Sequence, residues 1–313
     1  MSPESAPIAR RDEFDLIDWI RQRSQIRQPV ELGIGDDTAV LAGPSPGEKL
    51  LVTTDMLIEG WHFTLDTASP EQIGRKALAV NLSDIAAMAG RPTAAFLSIA
   101  LPKSSGRSLA EGIYAGLLPL ADEFGVTIAG GDTNSWNGPL VINVTLTGET
   151  TGGRAVTRSG ARPGDELLVT GPLGGSRGGR EFSFLPRLAA AQKLHRLLDL
   201  HAMIDLSDGL SADLPHLARE SGVCATLRAD HIPIHDKLSS LPRDEQIQRA
   251  LSDGEDFELL IAVSPEDLAR IQQGVAGIPL FPVGRVEAGS GCFVEKGGNR
   301  QPLEPTGWTH RFG

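Results

Sequence analysis

Six short segments set an aspartate directly after a glycine, a hydroxyl residue or an apolar residue: GIGDD at 33–37, TTDM at 53–56, NLSD at 81–84, GGDT at 130–133, IDLSDG at 204–209 and SDGED at 252–256. Any one Asp-Gly pair is an ordinary turn former; the repetition calls for another explanation. Two carboxylates ~4 Å apart repel by about 4 kcal/mol at an effective dielectric near 20, so a convergent set needs protons or cations. Oxygen-only donors suit Mg²⁺ or Ca²⁺, whereas the chain has just 2 cysteines and no Cys/His spacing for zinc. Mg²⁺ on carboxylates commonly carries phosphates, and phosphate chemistry also uses backbone N–H donors. The glycine turns at Gly33 to Gly35, Gly130-Gly131 and Gly174-Gly175 are the expected suppliers. No GxxxxGK[ST] loop is present and GPLGGSRGG does not fit a dinucleotide fingerprint, so a bound nucleotide would rest on another fold.

The elements that must position these acids are legible in part. Phe14, Ile17 and Ile20 predict a short amphipathic helix over 14–23, and KLLVTTDML a strand ending on Asp55. Ser69, Pro70 and Gln72 fit the N-cap, N1 and N3 of a capping box, and Gly90 is the matching stop, which predicts a helix between them. Its inward stripe holds Ile73, Ala77, Val80 and Ala87 or Met88, and helical spacing sets Asp84 on that stripe, where an apolar residue belongs. TAAFLSIALP reads as a strand, Ser108 to Phe124 as a helix closed by Gly125, and VTIAGGDTN as a strand that breaks at Gly130-Gly131-Asp132; PLVINVTLTGE is a further strand. Beyond a Gly/Arg/Thr-rich stretch at 150–164, DELLVTG opens a second set of elements, and Phe184 to Leu200 looks helical. AMID is a strand followed by a helix to about Glu220, Glu255 and Asp256 precede the strand ELLIAV, and Ser264-Pro265 opens a capped helix.

A length of 313 residues, at ~150 per domain, predicts two domains, 1–150 and 151–313. Apolar residues at 40% supply a core, while a formal charge of −11 argues against nucleic-acid and anionic-membrane partners. Two distant cysteines give no disulfide framework, MSPESAPIARRDEF holds no apolar stretch long enough for a signal peptide, and no later run approaches the ~18 apolar residues of a membrane span. The expectation is a cytoplasmic protein.

In chain order, ELGIGDDTAVL, TTDMLIEGWHF, KALAVNLSDIAAMAG, GGDT, RAVTRSGARPGD, IDLSDGLSADL, SDGEDFELL and GWTHRF resemble the thiamine-monophosphate kinase family, grouped with aminoimidazole-ribonucleotide synthetase and selenophosphate synthetase. The resemblance implies a mixed α/β (α+β) aminoimidazole-ribonucleotide synthetase-like fold of two domains. It also implies N-terminal domains pairing into a β-barrel in a homodimer, with ATP between the domains. The implied activity is Mg²⁺-dependent transfer of the γ-phosphate of ATP onto thiamine monophosphate, with several Mg²⁺ ions. Carried over, Asp37, Asp55, Asp84, Asp132, Asp205 and Asp208 are the implied Mg²⁺ ligands, with Thr53 or Thr54 helping and Asp36 alongside. Tyr114, Gly131, Asp132, Arg158 and Ser207 are the implied ATP contacts; His62, Glu255 and Trp308 fall on the thiamine side. An aromatic face suits a cationic thiazolium. Each also has a plain structural reading: Trp308 as a packing anchor, His62 as a bonded structural histidine, Arg158 as a linker ion pair.

A phosphate-monoester oxygen is already ionised near neutral pH, so direct in-line transfer with no general base and no phosphoenzyme is the expected route. Three other functions fit the sequence less well. A selenophosphate synthetase would carry a reactive Cys in an early Gly-rich loop, and no Cys precedes Cys224. An aminoimidazole-ribonucleotide synthetase would not be expected to keep both WHF and GWTHRF. A Ca²⁺-binding sensor would need EF-hand spacing, which none of the acidic sites has.

Overall fold

The computed structural model describes residues 13–34, 39–104, 106–272 and 277–308. Two compact units emerge: one of Met1–Ala42, Thr54–Leu78 and Thr93–Thr145, the other of Gly43–Thr53, Ala79–Pro92 and Leu146–Gly313. The elements in chain order are α1 (Glu13–Arg23), β1 (Val30–Leu32), β2 (Val40–Leu41), β3 (Leu50–Ile58), α2 (Pro70–Ala87), β4 (Arg91–Pro102), α3 (Gly106–Glu123), β5 (Thr127–Trp136) and β6 (Val141–Glu149). They continue with β7 (Glu166–Val169), α4 (Leu188–Leu197), β8 (Ala202–Asp205), α5 (Leu210–Ser221), β9 (Cys224–Arg228) and α6 (Arg243–Ser252). The last are β10 (Leu259–Val263), α7 (Pro265–Gln272), β11 (Phe281–Glu287), β12 (Gly291–Lys296) and β13 (Asn299–Pro302). A small β1-β2 pair accompanies a four-stranded sheet in the order β3-β6-β4-β5 and a seven-stranded sheet in the order β13-β12-β9-β11-β7-β10-β8. Parallel β4/β5 and β9/β12 pairs sit among antiparallel ones, so the fold is mixed α/β, as expected.

The capping box of α2 forms as read: Gln72 N donates to Ser69 Oγ at 3.3 Å, and Ser69 N donates to Gln72 Oε1 at 2.9 Å. Its stop differs. Ala89, not Gly90, takes the left-handed position (φ 53°), with Ala89 N reaching Ala86 O and Gly90 N reaching Ile85 O in a Schellman pattern. Gly90 is required by packing, since a Cβ there would lie 2.4 Å from Leu51 Cδ1. Nor does α2 bury a single stripe: Ile73, Leu78, Leu82 and Ile85 are buried along with Lys76, Asn81 and Ser83, the pattern of a helix enclosed on all sides. Asp84 is among the few α2 residues past Pro70 that are not fully buried.

Within the first unit, α2 and α3 touch through glycines. A Cβ on Gly74 would fall 1.9 Å from Ile113 O, and one on Gly116 would fall 1.8 Å from Glu71 O. β5 does not break at Gly130-Gly131; it runs to Trp136 because a bulge at Ala129 absorbs one residue of register against β4. β3 likewise continues past Asp55 to Ile58. α1 buries Leu16 and Ile20, with Ile17 half-buried.

In the second unit, Leu167, Val169, Ile204, Leu227 and Leu260 from the sheet meet Leu210, Leu214 and Leu217 of α5 in one core. The helix expected over Phe184 to Leu200 shortens to α4, because Pro186 cannot serve as an interior helix donor and the preceding residues form a separate 3₁₀ turn at Arg180–Phe182. The α7 cap holds: Asp267 N donates to Ser264 Oγ at 3.1 Å. Both cysteines are unbridged. Among the described residues, no helix is long and apolar enough to cross a membrane.

Candidate active site

Two consecutive side chains near the C-terminal end of α2 build one half of an acidic centre in the second unit. Ser83 Oγ donates to Asp205 Oδ2 at 2.7 Å, and the Thr53 hydroxyl of β3 donates to Asp84. Asp205 closes β8, where its backbone pairs with Leu259 of β10. Burial, followed by the neighbouring charge of Asp84, pushes the Asp205 carboxyl up to about 7; the Ser83 bond and the charge of Arg158 only partly oppose this. Thr53, Asp84, Arg158 and Asp205 line a cavity of about 550 Å³ whose apolar wall includes Ile85, Met88 and Met203. The loop under Arg158 is pinned by one hydroxyl: Ser221 Oγ donates to Arg158 O at 2.9 Å and accepts from Gly160 N and Ala161 N, both at 3.1 Å.

The turn after β8 gathers further predicted residues. Glu255 N donates to Ser207 O at 2.7 Å and Trp308 N to Asp208 O at 2.9 Å, so Ser207, Asp208, Glu255 and Trp308 share one backbone junction. Close approach there depends on glycine, since a Cβ on Gly307 would lie 2.2 Å from Asp208 O. Asp213, which the sequence reading passed over, caps the junction by accepting from Asp208 N and Gly209 N at 3.1 Å. Burial and the charges of Asp205 and Asp208 raise its carboxyl to about 8. Its signal was available as an acid in the first turn of the helix after SDG.

The Gly174-Gly175 turn is not the phosphate cradle expected. Gly174 N already donates to both oxygens of Asp256 (3.0 and 3.1 Å), and Gly175 N donates to Asp253 Oδ2 at 2.8 Å. Asp256 also accepts from the Ser176 hydroxyl and from Arg180 at 2.9 Å. Burial still outweighs these bonds and lifts the Asp256 carboxyl to about 6.

The remaining predicted residues belong to the first unit. β3 alternates Thr53 and Asp55 on one face with exposed Thr54 on the other, where Thr54 Oγ1 meets Thr145 Oγ1 at 3.1 Å. Asp55 O accepts from Asn143 Nδ2 at 3.2 Å. Asp132 is exposed on β5 and accepts from Asn134 Nδ2 at 2.7 Å; beside it Gly131 (φ 155°) has no room for a side chain against Leu97 O. His62 Nδ1 accepts from Ile58 N at 3.0 Å, and its carbonyl accepts from Lys76 Nζ at 2.9 Å, which anchors the turn after β3. Tyr114 is buried on α3, and burial holds its hydroxyl above the usual tyrosine range. Asp37 and its neighbour Asp36 lie outside the described residues. Among the described residues, no three His, Cys, Asp or Glu side chains form a metal-holding group by themselves.

Comparison with known proteins meets this geometry directly. Residues 35–150 match the AIR synthase related protein N-terminal domain, and 162–297 match its C-terminal domain. Thiamine-monophosphate kinase of Rhodopirellula baltica is 36% identical over 308 residues, covering 95% of this chain and 97% of that one. The chain belongs to the thiamine-monophosphate kinase family. Two solved structures of the family align closely. The crystal structure of the enzyme from Stenotrophomonas maltophilia K279a has a TM-score of 0.78 at 36% identity, covering 90% of this chain and 96% of that one. AaThiL complexed with AMPPCP and TMP has a TM-score of 0.74 at 33% identity, covering 99% and 100%. Together the two matched stretches span the four-stranded sheet and every strand of the seven-stranded sheet except β13.

Proposed function

We propose that this protein transfers the γ-phosphoryl group of ATP to the phosphate of thiamine monophosphate, yielding thiamine diphosphate and ADP. The observation that carries the reading is the near-complete alignment with a relative complexed with AMPPCP, an ATP analogue, and TMP. The acidic cavity of the second unit gives it a physical basis. A terminal phosphate and a phosphate acceptor bring like charges together, so positioning and charge neutralisation dominate the barrier.

Mg²⁺ fits the donors present. Asp84, Asp205 and Thr53 offer oxygen only, and burial together with the charge of Asp84 raises the Asp205 carboxyl, so the two acids are close enough to feel each other. Mg²⁺ typically takes one or two carboxylates and completes its shell with water and substrate phosphates, which agrees with a pair of acids rather than a full protein cage. Asp84, Asp205, Thr53 and Asp208 would hold it in this unit; Asp55 and Asp132, with Asp37, are the proposed contributors from the first. When bound, it supplies charge neutralisation of the phosphates. The chain's own residues do the rest. Ser83 orients Asp205, Ser221 fixes the strap that presents Arg158 to the nucleotide, and the 207–208 turn ties Ser207 to Glu255 and Trp308 on the thiamine side. Tyr114 and Gly131 are the proposed first-unit nucleotide contacts, and His62 the first-unit thiamine contact.

We further propose a cytoplasmic homodimer, in which residues 1–150 pair and residues 151–313 complete the site. Support for pairing comes from β3, whose outward face leaves Leu50, Val52 and Met56 more than half exposed. The reaction is tested with ATP labelled at the γ-phosphorus: label should pass to thiamine diphosphate, with none retained on the protein after rapid quench. Label trapped on the protein as a competent intermediate would overturn direct transfer.

A further inference from the structure

The loop between β7 and the 3₁₀ turn looks, by composition, like an anion nest, yet its donors are spent. Besides Gly174 and Gly175, the N–H groups of Gly178 and Gly179 donate to Glu181 at 3.0 and 2.6 Å. With Asp253, Asp256 and Glu181 holding both ends, the loop is a braced arm, and the side chain at its tip is Arg177. That residue is exposed, and its guanidinium carbon stands 5.5 Å from the centroid of the Trp308 ring. The Trp308 backbone is in turn bound to Asp208.

We propose that Arg177 is a specificity-determining residue that makes the site select a phosphorylated acceptor over free thiamine. The proposal rests on the reading of Trp308 as a thiamine-side residue. The physical argument is one of charge. A guanidinium over an indole attracts a phosphate dianion arriving at that ring and opposes a ligand that brings only a thiazolium cation. Three acids hold the backbone on either side of Arg177, so the segment that carries this charge is ordered before binding.

The test compares wild type with Arg177→Ala, Arg177→Gln and Arg177→Lys in the full chain. We measure KM for thiamine monophosphate, KM for ATP, and the inhibition constant of free thiamine. In the Ala and Gln variants, KM for thiamine monophosphate should rise about tenfold, as for loss of one charge-assisted contact. Thiamine should inhibit equally well or more strongly, and KM for ATP should stay within about twofold. The Lys variant should recover most of the selectivity. An unchanged ratio of thiamine monophosphate to thiamine binding, or equal loss of both, overturns the proposal. A wild-type protein that forms no thiamine diphosphate would instead overturn the functional reading beneath it.

Discussion

At the scale of single residues, the acidic centre in its proposed role trades stability for chemistry. Asp205 is buried beside Asp84, and its carboxyl is raised to about 7, so ionising it for a cation works against folding. Asp205→Asn keeps an oxygen for the Ser83 hydroxyl while removing the charge. We expect a fall of at least about a hundredfold in kcat for this variant and for Asp84→Asn, with unchanged or higher melting temperature. Turnover assays and thermal melts on the same samples check both halves. Asp256 makes a second prediction. Its folded carboxyl is raised from 3.8 to about 6, so the folded state binds that proton more tightly than the unfolded one. Its contribution is therefore largest below about pH 4 and is lost as pH rises through about 6, by up to ~3 kcal/mol. Asp256→Asn cannot titrate there, so its stability deficit against wild type should narrow between pH 4 and 7 in denaturant melts.

At the scale of elements, the legible parts were those whose partners lie close in sequence. The boxes at Ser69/Gln72 and Ser264/Asp267 are local chemistry and formed as read. Asp84, Asp205 and Asp208 stood out because acids interrupted apolar or glycine patterns, and the fold does bring Asp84 and Asp205 to one cavity. The parts that escaped depend on distant partners. Gly174 meets Asp256 across 82 positions, and nothing in the glycine run itself announces that its N–H groups are taken. The Gly130-Gly131 pair looked like a strand end because a bulge is visible only once β4 is alongside. The β12/β13 hairpin was missed although Gly297-Gly298, both with positive φ, is a recognisable two-residue turn. The α2/α3 contact supplies the element-scale prediction. Gly74→Ala and Gly116→Ala should each cost more than about 2 kcal/mol, because the new methyl meets backbone oxygen rather than a movable side chain. Gly43→Ala, with open space and no positive φ, should change stability by less than about 0.5 kcal/mol in the same urea titration.

At the scale of the whole molecule, a chain of formal charge −11 must gather two anionic substrates, which is the physical case for metal-assisted rather than lysine-rich phosphate binding. The exposed apolar face of β3 bears on assembly. Met56→Asp should convert the proposed dimer to a monomer in sedimentation velocity at micromolar protein, whereas a wild-type monomer at that concentration would contradict pairing through this face. The central claim is an acceptor that already carries a phosphate. Its most direct measurement is thiamine diphosphate formation by the purified chain with ATP and Mg²⁺, supplied in parallel with thiamine monophosphate and with free thiamine. The account predicts thiamine diphosphate and ADP in equal amounts from the monophosphate and no phosphorylation of thiamine; absence of product from the monophosphate while ATP still binds would contradict it.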